Sequence, residues 1–259
     1  MGGDRPRTIR SVERAIEIID ALEREGSLGV TELSDMLGVA KGTVHTHLTT
    51  LSQAGYVTRS NGTYRLSLRF LGLAQRVKER IGIYDLVVDQ LDQLAAVTGE
   101  RTQFAMPENN RAIYVYRAEG EDAIRSSVPI GQYEYLHCVA IGKAMLAYFP
   151  DSRIDRVVDQ VGLPAVTDGT ITDCEELKEE LAEIRRRGYA VDDQERVRGI
   201  RCIAAPLRTE SGEVFGAISI SGPARRMTDE QIEAELREVL LRTTNVIEVN
   251  AELSRSQAL

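Results

Sequence analysis

Lysine is scarce: 4 residues against 28 arginines, in a chain of 259 residues with a net charge of −8. Few lysines in an acidic chain fit a salt-rich cytoplasm, where a carboxylate-rich surface stays hydrated. They also fit a GC-rich genome, and the two are compatible. Cysteine is scarce too. Cys138, Cys174 and Cys202 show neither paired metal-site spacing nor a disulfide framework, so no metal is assigned from them. No apolar run nears the roughly 18 residues of a membrane span. The first residues, MGGDRPRTIRSVER, lack the apolar core of a secretory signal. The chain is therefore expected in the cytoplasm. A last absence is local. From Met36 to Lys78 there is no Asp or Glu, although the chain holds 40 of them. Lys41, Arg59, Arg65, Arg69, Arg76 and Lys78 make that stretch +6. An acid-free basic window in an acidic chain is a place for a polyanion. High salt weakens phosphate binding, which would shift the burden to direct base contacts.

The same window carries a readable pattern. Thr31 is placed to cap a helix in which Leu33, Met36 and Leu37 form one apolar face, and Gly38 suits its left-handed end. A second helix is expected from Lys41. Val44, Leu48 and Leu51 make its buried stripe, and Gly42, Thr46, Thr49, Thr50 and Gln53 its outer face, flanked by Thr43 and His45. Hydroxyls, an amide and imidazole suit base edges and phosphates. After Gly55, YVTRSNGTYRL reads as two short strands joined by Asn61-Gly62, a favoured hairpin dipeptide. Two helices followed by a hairpin with Arg59 and Arg65 beside its turn form a winged helix-turn-helix, the second helix entering the major groove. Candidate DNA contacts are Lys41, Gly42, Thr43, His45, Thr46, Thr49, Arg59, Asn61 and Arg65. The competing reading is a helical hairpin with a solvated polar face.

At this length, with 42% apolar residues, the chain can form two cores. Arg5, Arg7 and Arg10 lie on a polar N-terminal arm. A first helix, which Ser11 could cap, carries the stripe Val12, Ala15, Ile16, Ile19 and Leu22 and ends at Gly26. The expected organisation is a DNA-binding domain over residues 1–66, a linker helix over 67–82 and a second domain over 83–259. Leu68, Leu71, Ala74 and Val77 give the linker an apolar stripe suited to pairing with a second copy, since two-fold DNA sites match two-fold proteins. Leu86, Leu91, Leu94 and Ala95 belong to the next helix.

From Glu100 the pattern is mixed α and β. RTQFAMPE and AIYVYRAE are expected strands joined by Glu108-Asn109-Asn110-Arg111. HCVAIGKAMLAY passes from loop to helix, with Gly142 opening the helix, and further helices are expected at 150–160 and 173–187. YAVDDQERVRG reads as strand then loop. IRCIAAPLR and VFGAISISG form a hairpin about Ser211-Gly212, and a final helix begins near Thr228. A two-residue turn sets Cys202 opposite Ser221; a four-residue loop sets it opposite Ser219. In either register Ile200, Cys202, Ser219 and Ser221 share one small, mildly polar face. Asp192 and Asp193 precede it. Such a wall leaves room for a compact organic or hydroxy acid, though a small strand face is also ordinary core.

HCVAIGKAMLA, RRRGYAVDDQERVRGIRCIAAPL and GAISISGPARRMTD, in this order and spacing, resemble the IclR family of bacterial and archaeal transcription regulators, over nearly the whole chain. The resemblance implies an α+β protein: an N-terminal winged helix-turn-helix, a linker helix, and a C-terminal GAF-like α/β effector-binding domain. It implies homodimers or homotetramers on pseudo-palindromic operators, switched by a small organic-acid effector. It adds Ala140 and Ile141 to Asp192, Ile200, Cys202, Ser219 and Ser221 as effector contacts. It implies no cofactor. Some members hold a metal in this domain; His137, Cys138, Asp192 and Cys202 are the residues here that could ligate one, but their spacing is not diagnostic and no metal is assigned. Two other classes stay open: a DNA-binding scaffold whose second domain only oligomerises, and an enzyme with Cys202 as nucleophile and His137 as base.

Overall fold

The computed structural model describes residues 7–124 and 129–257; Arg5 of the N-terminal arm lies outside them. The chain divides into two compact units, one ending at Gly82 and the other beginning at Ile83.

In the first unit, α1 (Arg10–Glu25), α2 (Val30–Leu37) and α3 (Lys41–Gln53) precede a hairpin of β1 (Val57–Ser60) and β2 (Thr63–Leu66). Ile18, Leu22, Leu33, Val44, Leu48, Val57 and Tyr64 form the core beneath them. The expected stripe on α1 is rotated. Ile18, Ala21 and Leu22 are buried, while Val12 and Ile16 are exposed. Two expected caps are not made. Ser11 lies inside α1, whose N-cap is Ile9. Thr31 lies inside α2, which starts after Gly29; there Glu32 reaches back to accept the Gly29 N–H at 2.6 Å. A carboxylate three residues along can serve the helix start as well as a hydroxyl at its head. Gly38 takes the left-handed conformation, φ 61°, that turns the chain from α2 into α3. The hairpin closes through Asn61 and Gly62, both at positive φ, with Ser60 opposite Thr63. Leu28 bridges to Tyr64, a third line of the wing that the sequence pattern does not signal.

Helix α4 (Arg69–Ile81) closes this unit and buries none of its residues. Its start is pinned: Ser67 Oγ donates to the Gly55 carbonyl, and the Arg69 guanidinium donates to the Ala54 carbonyl and lies 4.7 Å from the Tyr56 ring. Beyond that anchor, Leu68, Leu71 and Val77 stand in water at 82%, 68% and 53% exposure.

The second unit is built on one antiparallel six-stranded sheet in the order β5-β4-β3-β8-β7-β6. Its strands are β3 (Arg101–Glu108), β4 (Arg111–Glu119), β5 (Tyr133–Glu134), β6 (Ala190–Asp193), β7 (Ile200–Arg208) and β8 (Val214–Pro223). Helices α5 (Tyr84–Thr98) and α10 (Arg237–Gln257) pack on one face. On α5 the buried positions are Val87, Leu91, Leu94 and Ala95, with Leu86 only half-buried. Helix α6 (Ala140–Leu146) lies on the other face, backed by α7 (Asp151–Val161) and α8 (Cys174–Arg187). Helix α9 (Asp229–Gln231) and a π-helical turn, Ile232–Leu236, lead into α10. No helix among the described residues is long and apolar enough to cross a membrane.

Strand alternation makes the two faces chemically different. The α5/α10 face holds Phe104, Ile203, Ile218 and Ile220, all fully buried. The α6 face holds small or polar residues from every central strand. The β7–β8 register sets Cys202 opposite Ser221, as a two-residue turn would, yet the strands join through a longer loop. A bulge between Leu207 and Arg208 absorbs the difference.

Candidate nucleic-acid interface and ligand site

The exposed surface of α3 is the face that periodicity selects. Val44, Leu48 and Leu51 are buried, and Lys41, Gly42, Thr43, His45, Thr46, Thr49, Thr50 and Gln53 are exposed. Three threonines spend their hydroxyl protons on the helix itself. Thr46 Oγ1 donates to the Gly42 carbonyl at 3.0 Å, Thr49 to His45 at 2.8 Å, and Thr50 to Thr46 at 3.0 Å. A Cβ on Gly42 would meet nothing within 4 Å, so this part of the helix is open to close approach.

Arg59, Asn61 and Arg65 are also exposed, but they do not act as one patch. Arg59 lies opposite Tyr64 and Arg65 opposite Thr58, so successive side chains put the two arginines on opposite faces of the ribbon. The Arg59 guanidinium lies 5.6 Å from the Tyr64 ring. Asn61 supplies the turn's positive φ, 51°.

In the second unit, aligned pairs run across the α6 face. One row is Glu119, Arg101, Ser221, Cys202 and Asp192; the next is Arg117, Gln103, Ser219 and Ala204. Ile200, Cys202, Ser219 and Ser221 thus share one face as the strand argument expects, Ile200 at its end opposite Pro223, and Asp192 joins them beside Cys202. Cys202 Sγ donates to Ser221 Oγ at 3.2 Å. Ala140 and Ile141 are buried at the start of α6, which packs over this face.

Gly142 does not open α6. The helix starts at Ala140, and the Gly142 N–H is already donated to the Val139 carbonyl at 3.0 Å. Its requirement is steric, because a Cβ there would sit 2.3 Å from the Leu136 carbonyl oxygen. The Gly142 N–H is therefore not free to hold an anion.

Several charged neighbours were not anticipated. Arg101, 3% exposed, donates through Nη2 to the Ile124 carbonyl and faces Glu119 at 3.5 Å, while its Nε has no partner. Buried Glu134 holds Arg196 through two hydrogen bonds of 2.7 and 2.9 Å. Lys143 on α6 is fully buried; its Nζ donates to Glu195 and lies 3.6 Å from Glu180. Glu195 in turn donates its backbone N–H to Asp192 Oδ1 at 2.7 Å. A buried lysine in an apolar helix start and an arginine opening a strand read as surface residues by pattern. Only their alternation partners, the serines, hinted otherwise.

Burial, then the charge of Glu195, raises the Asp192 carboxyl to about 7. Burial also pushes the Cys202 thiol up, and the Cys138 thiol to about 12. His137 is shifted down by burial, and its Nε2 lies 3.1 Å from the Pro164 carbonyl oxygen. A thiol held protonated is a poor nucleophile, so the cysteine–histidine reading has no activated pair. No three His, Cys, Asp or Glu side chains converge as metal ligands among the described residues.

Comparison with known proteins agrees with this geometry. The family model described as "Bacterial transcriptional regulator IclR C-terminal" matches residues 75–249, and that of the IclR helix-turn-helix domain matches residues 11–60. The probable transcriptional regulator ArcR of Halobacterium salinarum is 32% identical over 251 residues, 95% of either chain. The transcriptional repressor IclR of Escherichia coli is 31% identical, covering 86% of this chain and 84% of its own. The crystal structure of Thermotoga maritima IclR superposes with a TM-score of 0.81 at 29% identity, over 94% of this chain and 99% of that one. An IclR homologue from Microbacterium hydrocarbonoxydans, solved with 4-hydroxybenzoate, shares the fold at 22% identity and a TM-score of 0.78, over 92% and 98% of the two chains. The relatives are named transcriptional regulators, not enzymes, and with both halves matched in order the chain belongs to the IclR family of DNA-binding transcriptional regulators.

Proposed function

We propose that this regulator binds a pseudo-palindromic operator as a homodimer or a pair of dimers in the cytoplasm, and that a small organic acid in the second unit sets its affinity for that site. The observation that carries the proposal is the contrast between two polar surfaces. The α3 face is polar, exposed and free of acids, as a major-groove helix requires. The Arg101–Ser221–Cys202–Asp192 row is polar and largely shielded from water, with Cys202 half-buried, and the Arg101 Nε there has no protein partner, a group whose burial costs free energy until one is supplied.

Lys41, Gly42, Thr43, His45, Thr46 and Thr49 would meet base edges and phosphates, with Arg59 and Arg65 tracking the backbone or minor groove on either side of the wing. Ser219 and Ser221 would hold a carboxylate or hydroxyl, and Arg101 would supply charge. Asp192 would accept from a hydroxyl, with Cys202, Ile200, Ala140 and Ile141 shaping the space. The α4 stripe of Leu68, Leu71 and Val77 is apolar surface suited to a second copy of the chain. A ligand shifts the operator equilibrium only by as much as it prefers one arrangement of the two subunits.

Gel-shift titration on the promoter DNA of its own gene, combined with thermal shift against lactate, succinate and 4-hydroxybenzoate, tests the proposal. A discrete shift relieved or strengthened by an acid that also stabilises the protein is expected. Absence of any discrete shift at moderate salt refutes DNA binding. A shift with no ligand response to a broad acid panel favours the scaffold, whose second unit would serve only to oligomerise.

A further inference from the structure

We infer that α3 reads two neighbouring A·T pairs in each half-site through the methyl groups of Thr46 and Thr49, and so selects for thymine's C5-methyl rather than for guanine. The inference rests on the proposed major-groove placement of α3 and names what that helix reads there.

Base selection in the major groove comes mostly from forked side chains: arginine or lysine on guanine, asparagine or glutamine on adenine. Lys41, the first residue of α3, is assigned here to a phosphate at the positive end of the helix, and from Gly42 to Thr50 there are none of these four residue types. Its central exposed stripe is Gly42, Thr46, Thr49 and Gln53, and Gln53 stands at the C-terminal end, away from the residues that approach bases first. Discrimination along the N-terminal part of the stripe therefore falls to two threonines.

Their chemistry is narrowed by the helix itself. With Thr46 Oγ1 donating to Gly42 and Thr49 Oγ1 donating to His45, neither hydroxyl has a proton to offer to guanine O6 or N7. Each side chain presents a γ-methyl and an oxygen lone pair. An A·T pair offers the complements of both, a thymine methyl and an adenine N6 amino donor. A G·C pair offers no methyl. Thr46 and Thr49 are three residues apart, about 4.5 Å along a helix axis, close to one base-pair step of about 3.4 Å. Gly42, one turn earlier, has no side chain to hold the helix off the bases, and nothing in the protein lies near its Cβ position.

The test starts from a random duplex pool, selected with the full chain at fixed salt, and continues with anisotropy titrations on the enriched site. Two adjacent A·T pairs are expected in each half-site core. Replacing their thymidines by deoxyuridine deletes only the methyl and should weaken binding about fourfold per methyl, the factor matching about 0.8 kcal/mol per buried carbon group. Thr46→Ser should lose this thymine-over-uracil ratio, while Thr46→Val should retain it. Both positions are exposed, and circular dichroism confirms that each variant is folded. A G·C core, or a thymine-over-uracil ratio near one with the wild-type chain, overturns the inference while leaving DNA binding intact. Failure of any sequence to enrich overturns the proposed function itself.

Discussion

Replacing Lys143 by Met probes how the second unit holds its polar face in place. Lys143 is fully buried on α6, and its ammonium has two carboxylates, Glu195 in direct contact and Glu180 at 3.6 Å. Glu180 has another partner, since Arg187 donates to it at 2.9 Å. Glu195 has no second cation in contact among the described residues, although the Asp193 backbone N–H also favours its charged form, and its Oε2 is unpaired. The loss is therefore assigned to Glu195. Removing one partner of a buried pair costs about 3–5 kcal/mol, because the other charge is left without compensation. In a unit of this size that lowers the melting temperature by on the order of 10 °C. The pH dependence separates this cause from simple loss of packing. Burial already raises the Glu195 carboxyl, and Lys143 opposes the rise. Without Lys143 the folded-state pKa climbs further above its unfolded value. Stability is then retained below the unfolded pKa and lost as pH rises through the folded one. The deficit of Lys143→Met should thus be small near pH 5 and full near pH 8. Adding Glu195→Gln should recover a large part of it. Urea titration of the full chain, followed by calorimetry to resolve the two units, compares both variants with the wild type. A deficit under about 1 kcal/mol, or one that does not change with pH, refutes the reasoning.

Asp192, raised to about 7, is neutral at mildly acidic pH in the folded protein and ionised in the unfolded one; stability should fall as pH rises from about 4 to 7, and Asp192→Asn should flatten that slope in urea titrations. Arg101→Gln should weaken binding of an organic acid by about tenfold or more while leaving its amide analogue little affected, as measured by calorimetric titration; equal loss for both would assign Arg101 to packing alone. Arg65→Ala should reduce the salt slope of operator binding by about one phosphate contact with little change in sequence preference, read from anisotropy at several salt concentrations. Gly42→Ala should stabilise the first unit by roughly 0.5 kcal/mol, since Ala favours helix and its Cβ meets nothing, yet weaken operator binding. A variant that bound DNA as well as wild type would show that the helix does not approach the bases there.

The elements most legible in the sequence are those whose local chemistry and tertiary role agree. Asn61-Gly62 and Asn109-Asn110 specify tight turns through positive φ alone, and both turns form. Val44, Leu48 and Leu51 specify the inward side of α3 because no other apolar stripe competes. Caps were less legible. Thr31 and Ser11 are good capping residues, but the hydrogen-bond accounting at each helix start was settled by where the preceding turn delivers the chain. The apolar content of α1 and α4 also misleads if read as core. Val12, Ile16, Leu71 and Val77 have helical spacing but remain in water within one chain, because the spacing reports an apolar face without naming what covers it.

The ligand face shows the same limit from the opposite side. Alternation put Ile200, Cys202, Ser219 and Ser221 on one surface, because strand geometry within a hairpin is local, and Asp192 joins them through the pairing of β6 with β7. Arg101 and Gln103 join that surface only through the pairing of β3 with β8, across more than a hundred residues of chain, and nothing local encodes it. Lys143 and Glu195 likewise meet only in the folded unit. Pairing across such distances brings an arginine, two serines, a thiol and an aspartate together beneath α6, on the one face of the sheet that its apolar residues leave. Phe104, Ile203, Ile218 and Ile220 are buried with Thr102 and Ala205 on the α5/α10 side, so admitting a ligand there would cost core packing. The α6 side carries the fully buried Ala105, Ala204 and Ala217 next to the polar row, so the core there is built from the smallest apolar side chains. On the proposed reading, the row that meets the acid and the core packed against α5 and α10 draw on opposite sides of the same strands.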